Sequence, residues 1–404
     1  MALILLGSER FETFWTQKKV NAMRHQNTVL HQVLQHVPWT IFDRLVEEHE
    51  ADKHVRRLTT KSQFVAMLYA QLSGAGGLRE IEAGLKSCQT RLYHVGAQPI
   101  RRTTLSDANA LRPAQVFCDL FSAMLKHVHR GLRRTLAETV YLIDSTSIKL
   151  DERSADWARF SAGVCGAKVH VVYDPDADCP IYAQVSAAKV NDITIAQQMP
   201  VEPGATYVFD LGYYDYGWWA KLDNAGCRLV TRFKKNTPLT VTEDCEVPEN
   251  SPVLSDRIGL LPARQTRSRR NPMSNPVREV RVATDTGKIL RIFSNDLDST
   301  AERIAELYKR RWAIELFFRW VKQTLKIRHL LGTSENAVRI QIAVALIAFL
   351  LLRAAHVCQV VVKSALAFAR LIRLHLMNPR RLDELLEPDQ PRSCSDSQMA
   401  LKWT

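Results

Sequence analysis

The hydrophobic pattern of this 404-residue chain changes period once, near residue 139, and that change limits the fold more than any other feature. Before it, Val29, Val33, Leu34, Val37 and then Phe42, Leu45 and Val46 recur at helical spacing. Gln63–Leu72 reads as a further helix, stopped by the Gly74–Gly77 cluster, with shorter helices at Leu78–Leu85 and Thr104–Leu111 and a longer one from Pro113 to His127. After it come short β-branched and aromatic runs at Thr139–Ile143, Val169–Tyr173 (closed by an Asp-Pro turn), Ile181–Val185 and Thr206–Phe209. Tyr213–Leu222 then reads as a helix and Arg228–Phe233 as a strand. Residues 236–275 are rich in Pro, Asn and Ser and lack long periodic runs; Val277–Ala283 and Ile289–Phe293 alternate like strands. Ser299–Ile327 is expected to be one long helix, N-capped by Asp298 or Ser299, with Glu302 completing a capping box. The order predicts a helical N-terminal domain followed by an α/β domain built on a mixed sheet.

The expected division is 1–22 as an extension upstream of the true start at Met23, 23–138 as a helical N-terminal domain, and 139–235 with 290–335 as the core. A β-rich basic insertion fills 236–289, C-terminal helices 336–380, and a loose tail 381–404. The eight cysteines are scattered singly, without zinc spacing, as thiols in a reducing compartment are. Ala2–Leu6 is too short for a secretory segment. The apolar run Ile342–Leu352 ends at Arg353, short of a bilayer span, and reads as a buried helix. A cytoplasmic protein with no membrane partner is expected.

Charge points to a polyanion. Lys and Arg number 55 against 42 Asp and Glu, a net of +13, on an otherwise ordinary composition that excludes a disordered or fibrous chain. The excess is concentrated: +7 in residues 1–138, +5 in 251–290 and +5 in 301–328, which leaves the rest net acidic. Arg101, Arg102 and Thr103 precede a helix start, where phosphate contacts are favoured. Arg264, Arg267, Arg269 and Arg270 form the densest cluster, read either as DNA-backbone contacts or as a solvated loop.

Two carboxylates stand at strand ends: Asp144 after Tyr141–Ile143, and Asp210 after Tyr207–Phe209. Either one alone could be a turn or cap residue. The helix that follows adds a third. Tyr308, Arg311, Glu315 and Lys322 fall at about 0°, 300°, 340° and 320° on its wheel, with Arg319 at about 20°. Leu307, Ile314, Phe317, Phe318, Val321 and Leu325 occupy the opposite arc. One polar stripe thus presents a carboxylate flanked by cations; the plain alternative is i±4 pairing on a solvated face, which leaves Asp144 and Asp210 unexplained. Three carboxylates this close would suit two Mg²⁺ ions, as in phosphodiester displacement, with Tyr, Arg and Lys holding phosphates. Trp312, beside the stripe, reads as core.

Tyr308-x2-Arg311-x3-Glu315-x6-Lys322 resembles the signature of the "IS-four" family of bacterial insertion-sequence transposases. LIDSTSIKL around Asp144 and VFDLGYYDY around Asp210 resemble that family's first two carboxylate boxes, and GAKVHVVYD, with Lys168, the stretch after the first. The spacings are 66 and 105 residues, the longer one matching the family's β-rich insertion. The resemblance covers about residues 23–375. It implies an RNase H-like catalytic core preceded by a helical DNA-binding domain. Asp144, Asp210 and Glu315 would be the catalytic, metal-binding triad, with Mg²⁺ in two sites and Mn²⁺ as a substitute. Tyr308, Arg311, Arg319, Lys322 and Lys168 would be DNA-binding. It also implies DNA partners (terminal inverted repeats and target DNA) and a homodimer that pairs two ends. The implied course is a nick by activated water, hairpin formation by the freed 3′-OH, reopening, and attack on target DNA. A base is flipped in that course; Trp218, Trp219, Phe233 and Trp320 are candidates to stack on it. Two readings compete: a metal-dependent RNase H-like nuclease without strand transfer, and a catalytically inactive transposase-derived DNA-binding protein.

Overall fold

A computed structural model describes residues 28–132, 139–247, 251–266, 269–284, 287–325, 327 and 330–386. The expected extension 1–22, the start at Met23, Arg267 and most of the tail lie outside the described residues.

Nine principal strands build one large mixed sheet: β1 (Val140–Leu150), β2 (Val164–Asp174), β3 (Cys179–Ala187), β4 (Thr206–Phe209), β5 (Arg228–Arg232), β6 (Thr240–Cys245), β7 (Val253–Leu260), β8 (Val277–Ala283) and β9 (Ile289–Ser294). Their spatial order is β3-β2-β1-β4-β5-β9-β8-β7-β6, and the short strand Arg159–Ser161 pairs with the start of β2. β1 runs antiparallel to β2 and parallel to β4; β5 is parallel to β4; beyond it the sheet is an antiparallel meander.

β1 shows why the centre is there. Its first four residues are buried on both faces, as a strand covered by helices above and below must be; toward its end burial alternates. Val140 and Leu142 join a core that includes the N-terminal and C-terminal helices, whereas Tyr141 and Ile143 join a second core on the opposite face. That second core is built around α7 (Tyr216–Asn224), whose Trp219 stacks on Phe293 with ring centroids 4.5 Å apart.

Among the described residues, the longer helices before the sheet are α1 (Val29–Leu34), α2 (Trp39–Glu48), α3 (Thr60–Ser73), α4 (Leu78–Ser87), α5 (Arg102–Leu111) and α6 (Gln115–Leu132). α3 is capped by Thr59, whose hydroxyl accepts from the Ser62 N–H at 3.2 Å. It ends at Gly74, whose φ of +74° is the left-handed conformation glycine tolerates best. Among the described residues, the longer helices after the sheet are α8 (Ala301–Arg310), α9 (Trp312–Thr324), α10 (Glu335–Val357) and α11 (Ala365–His375).

Several expectations change. The single helix over 299–327 is two, divided at Arg311 and capped by Thr300, whose hydroxyl accepts from Arg303 N–H at 3.2 Å; Glu302 instead accepts from Ser251. The helix expected from Tyr213 begins at Tyr216, after a tight 3-10 turn at Leu211–Tyr213. β6 and β7 fall within the stretch read as aperiodic, because β6 is a largely exposed edge strand and carries no apolar alternation. α10 does not stop at Arg353. At 23 residues it is long and apolar enough to cross a membrane by length and composition, but 89% of its most apolar window is buried inside the protein, so it is a core helix. Arg353 turns inward to Asp178 at 2.8 Å.

Candidate active site

The strand register builds the site. In the parallel pair β1 and β4, Ile143 is opposite Phe209, and there the pairing ends. The next residue on each strand is a carboxylate, Asp144 and Asp210. β4 then breaks into the Leu211–Tyr213 turn while β1 continues beside β2, so the two strands part at the carboxylates. Asp144 therefore lies within β1, not after its end as the sequence suggested. Alternation along β1 turns Asp144 to the face of Val140 and Leu142, the face on which α8 and α9 pack.

α9 is seated there by its apolar side. Phe317 contacts Tyr173 of β2 on one side and Phe349 of α10 on the other, each with centroids 5.1 Å apart. This holds the α8–α9 junction over the strand ends. Arg311, at the junction, donates from Nη1 to Asp144 Oδ2 at 3.2 Å and from Nη2 to Glu315 Oε1 at 2.5 Å. Its guanidinium thus bridges the first and third carboxylates. Asp144 also accepts from the Ser145 N–H at 2.7 Å, and Asp210 from the Gly212 N–H at 2.8 Å. Burial, together with the charges of Asp210 and Glu315, pushes Asp144 up to about 6, against the opposing pull of Ser145 N–H and Arg311. Among the described residues, no three His, Cys, Asp or Glu side chains are grouped as a metal cage.

The other predicted residues are placed variously. Tyr308 is buried, with the Arg311 guanidinium 5.9 Å from its ring centre. Lys322 is half-buried on α9, and Arg319 is exposed. Lys168 does not face outward: its ammonium donates to Asp192 at 3.0 Å and to the Val190 carbonyl at 3.1 Å. Arg264 and Arg270 are exposed on a separate two-stranded ribbon, Arg264–Thr266 with Arg269–Arg270, where Arg269 pairs with Asp215 at 3.1 Å. Trp312, expected in the core, is 53% exposed, and Arg319 lies 5.8 Å from its ring centre. Trp218, Trp219 and Phe233 are core residues, and Trp320 packs on Phe349.

Sequence reasoning passed over Asp192 and Tyr213. The Tyr213 hydroxyl is buried without a hydrogen-bond partner near Asp192, Asp144 and Asp210, and burial first, then those charges, hold its pKa well above the usual value. No sequence signal marked either residue: Asp192 opens the short helix Asp192–Ala196 and Tyr213 closes the 3-10 turn Leu211–Tyr213, both too brief to leave a periodic pattern.

Residues 135–351 match the family described as Transposase DDE domain, and residues 25–98 match one described as a domain of unknown function (DUF4372). A Sinorhizobium fredii protein named as a transposase, y4zB, is 37% identical over 310 residues, covering 74% of this chain and 85% of that protein. A Geobacillus stearothermophilus protein named as a transposase for insertion sequence element IS5377 is 29% identical over 245 residues, 60% of this chain and 63% of its own length. Among solved structures, a piggyBac transposase synaptic complex with hairpin DNA aligns at a TM-score of 0.42 and 10% identity, over 96% of this chain and 83% of that one. With the family match spanning more than half of the chain and the Sinorhizobium relative aligned over most of its length, this chain belongs to the transposase DDE domain family and is a DNA transposase.

Proposed function

We propose that the chain moves an insertion sequence of the IS-four type by cut and paste, with Asp144, Asp210 and Glu315 as its catalytic carboxylates. The observation that carries this is the register: Ile143 opposite Phe209 sets Asp144 and Asp210 side by side, and Arg311 ties Glu315 to Asp144. The central strand order β3-β2-β1-β4-β5, with β2 antiparallel and β4 parallel to β1, supports an RNase H-like core.

DDE transposases work with divalent metal ions. The donor set here fits such an ion in kind, being hard carboxylate oxygens, two of which already share one cation, the Arg311 guanidinium. Asp144, Asp210 and Glu315 would hold Mg²⁺, as two ions with Mn²⁺ as a substitute, and these would stabilise the attacking and leaving oxygens of phosphodiester displacement. Arg311 then has a second role. Released from the carboxylates, its planar fork suits a backbone phosphate, alongside Arg319 and Lys322. Arg264, Arg267, Arg269 and Arg270 on the insertion, and the helical segment 23–138, would hold more of the duplex, with a homodimer pairing two ends. Trp312, exposed beside Arg311, is our choice for stacking on a flipped base.

The test uses the DNA flanking the gene as end substrate. Asp144→Ala should abolish cleavage and leave end binding intact; persistent cleavage refutes the site assignment. Matched ends incubated with target DNA should yield joined products. Cleavage without joining would mean a nuclease, and binding without either a catalytically inactive descendant.

A further inference from the structure

A second polar cluster lies on the reverse face of β1, and the proposed chemistry does not use it. Alternation turns Ser145 away from Asp144 toward the α7 side. The β1–β2 register sets His170 opposite Ser145 and Lys168 opposite Ser147, all on that face. Asp192 reaches in from the first turn of a short helix, Asp192–Ala196, that follows β3. Its Oδ1 accepts from Ser145 Oγ at 3.0 Å and from Lys168 Nζ at 3.0 Å, and lies 3.6 Å from His170 Nδ1. The Lys168 and Asp192 side chains are only 19% and 21% exposed, so the lysine charge is committed inward. The other oxygen, Oδ2, lies over Gly212: a Cβ there would meet it at 3.3 Å and Asp210 Oδ1 at 3.0 Å. One carboxylate therefore adjoins neighbours of both Asp144 and Asp210. Two buried polar atoms next to it, the Tyr213 hydroxyl and His170 Nδ1, have no hydrogen-bond partner.

We propose that Asp192 is a positioning residue of the carboxylate site, with Lys168 as its counter-ion. Asp192 holds the Ser145 hydroxyl, and the Ser145 N–H holds Asp144 Oδ1 at 2.7 Å, so the orientation of Asp144 is set from behind the sheet. Lys168 offsets the fourth negative charge, which would otherwise add to the repulsion among Asp144, Asp210 and Glu315. This rests on the reading of Asp144 as a catalytic residue. It assigns Lys168 to Asp192 and not to DNA.

The full-length protein is assayed with Mg²⁺ on a labelled duplex from the DNA flanking its gene. Asp192→Ala and Ser145→Ala should each slow single-turnover cleavage by roughly 10–100-fold, the usual cost of losing a supporting partner. The double variant should be no slower than the worse single one, since both break one relay. Asp192→Asn, which keeps an acceptor for Ser145, should recover part of the rate. Mn²⁺ alone, followed by electron paramagnetic resonance without DNA, should bind more weakly to Asp192→Ala. Lys168→Met should slow cleavage yet leave duplex affinity and its salt dependence within about twofold, whereas a lost phosphate contact would lower both. Wild-type cleavage by Asp192→Ala, or losses that multiply in the double variant, overturn the proposal. Should Asp192→Ala fail to fold, a wild-type rate in Ser145→Ala overturns it equally. Cleavage that survives Asp144→Ala fells the underlying reading and the proposal together, which that control tells apart from failure of the proposal alone.

Discussion

Removing one buried carboxylate outside the candidate site should loosen the helix pair that carries Glu315. Arg278 of β8 is 6% exposed and Asp256 of β7 is 3% exposed. They form a two-pronged ion pair, Nε to Oδ1 at 2.8 Å and Nη2 to Oδ2 at 2.6 Å. The remaining Nη1 donates to the Ser299 and Leu297 carbonyls, just before Thr300 caps α8. The guanidinium thus fastens the insertion strands to the start of α8–α9. In Asp256→Ala the Arg278 charge stays buried and uncompensated, at a cost of about 3–5 kcal/mol. Against a total stability of about 5–15 kcal/mol this is a large share. At roughly 2–4 °C per kcal/mol for chains of 150–250 residues, and less for longer ones, a fall of about 5–10 °C in Tm is expected. Circular dichroism during heating and in a urea series measures both. Below the transition, cleavage should stay within a few-fold of wild type, because Asp256 touches none of the site carboxylates. A loss under about 1 kcal/mol, the scale of an exposed pair, would refute the reasoning. Pairing Asp256→Leu with Arg278→Met should recover part of the loss, since no buried charge is left, although the two carbonyls lose their donor.

Other outcomes follow from the site. Arg311→Ala removes the cation shared by Asp144 and Glu315, so added Mg²⁺ should raise Tm by more than in wild type, by about a degree or more, while cleavage falls; an unchanged Mg²⁺ response counts against Arg311 as the resident counter-charge. His170 is fully buried, and burial lowers its pKa to about 4. The unfolded chain takes up that proton near pH 6.5 and the folded chain only near 4, so this group's contribution is intact above about pH 6.5 and is lost as pH falls toward 4, by about 3 kcal/mol. Asp144 and Asp174, both raised to about 6, act in the opposite sense, so the His170 contribution is read as the difference in urea stability between wild type and His170→Asn at pH 7 and pH 4; no difference between the two pH values would sink it. Gly212→Ala puts a methyl against Asp210 and Asp192 and should slow cleavage at least about tenfold while costing about 1–3 kcal/mol of stability; a wild-type rate would show that the turn can yield.

Much was legible in the chain because it depends on local pattern. The period change near residue 139 separated helices from sheet, and the apolar runs before Asp144 and Asp210 marked two central strands, since a strand covered on both faces must be apolar without interruption. The stripe on the 301–324 helices followed from 3.6-residue spacing, which fixes which side chains share a face whatever they pack against. Tertiary structure decided the rest. Nothing local says that Ile143 lies opposite Phe209, yet that one register brings together two carboxylates 66 residues apart. Trp312 was misjudged for the same reason, and the partner of Lys168 was out of sight. The Lys168 ammonium meets Asp192 only once β2 and the short helix after β3 are brought together, and a tryptophan reads as core until the helix that bears it turns that side to water. Sequence sets each element's faces by short-range sterics and hydrophobicity. Which faces meet is settled by packing between segments far apart in the chain, and the site exists only where they meet.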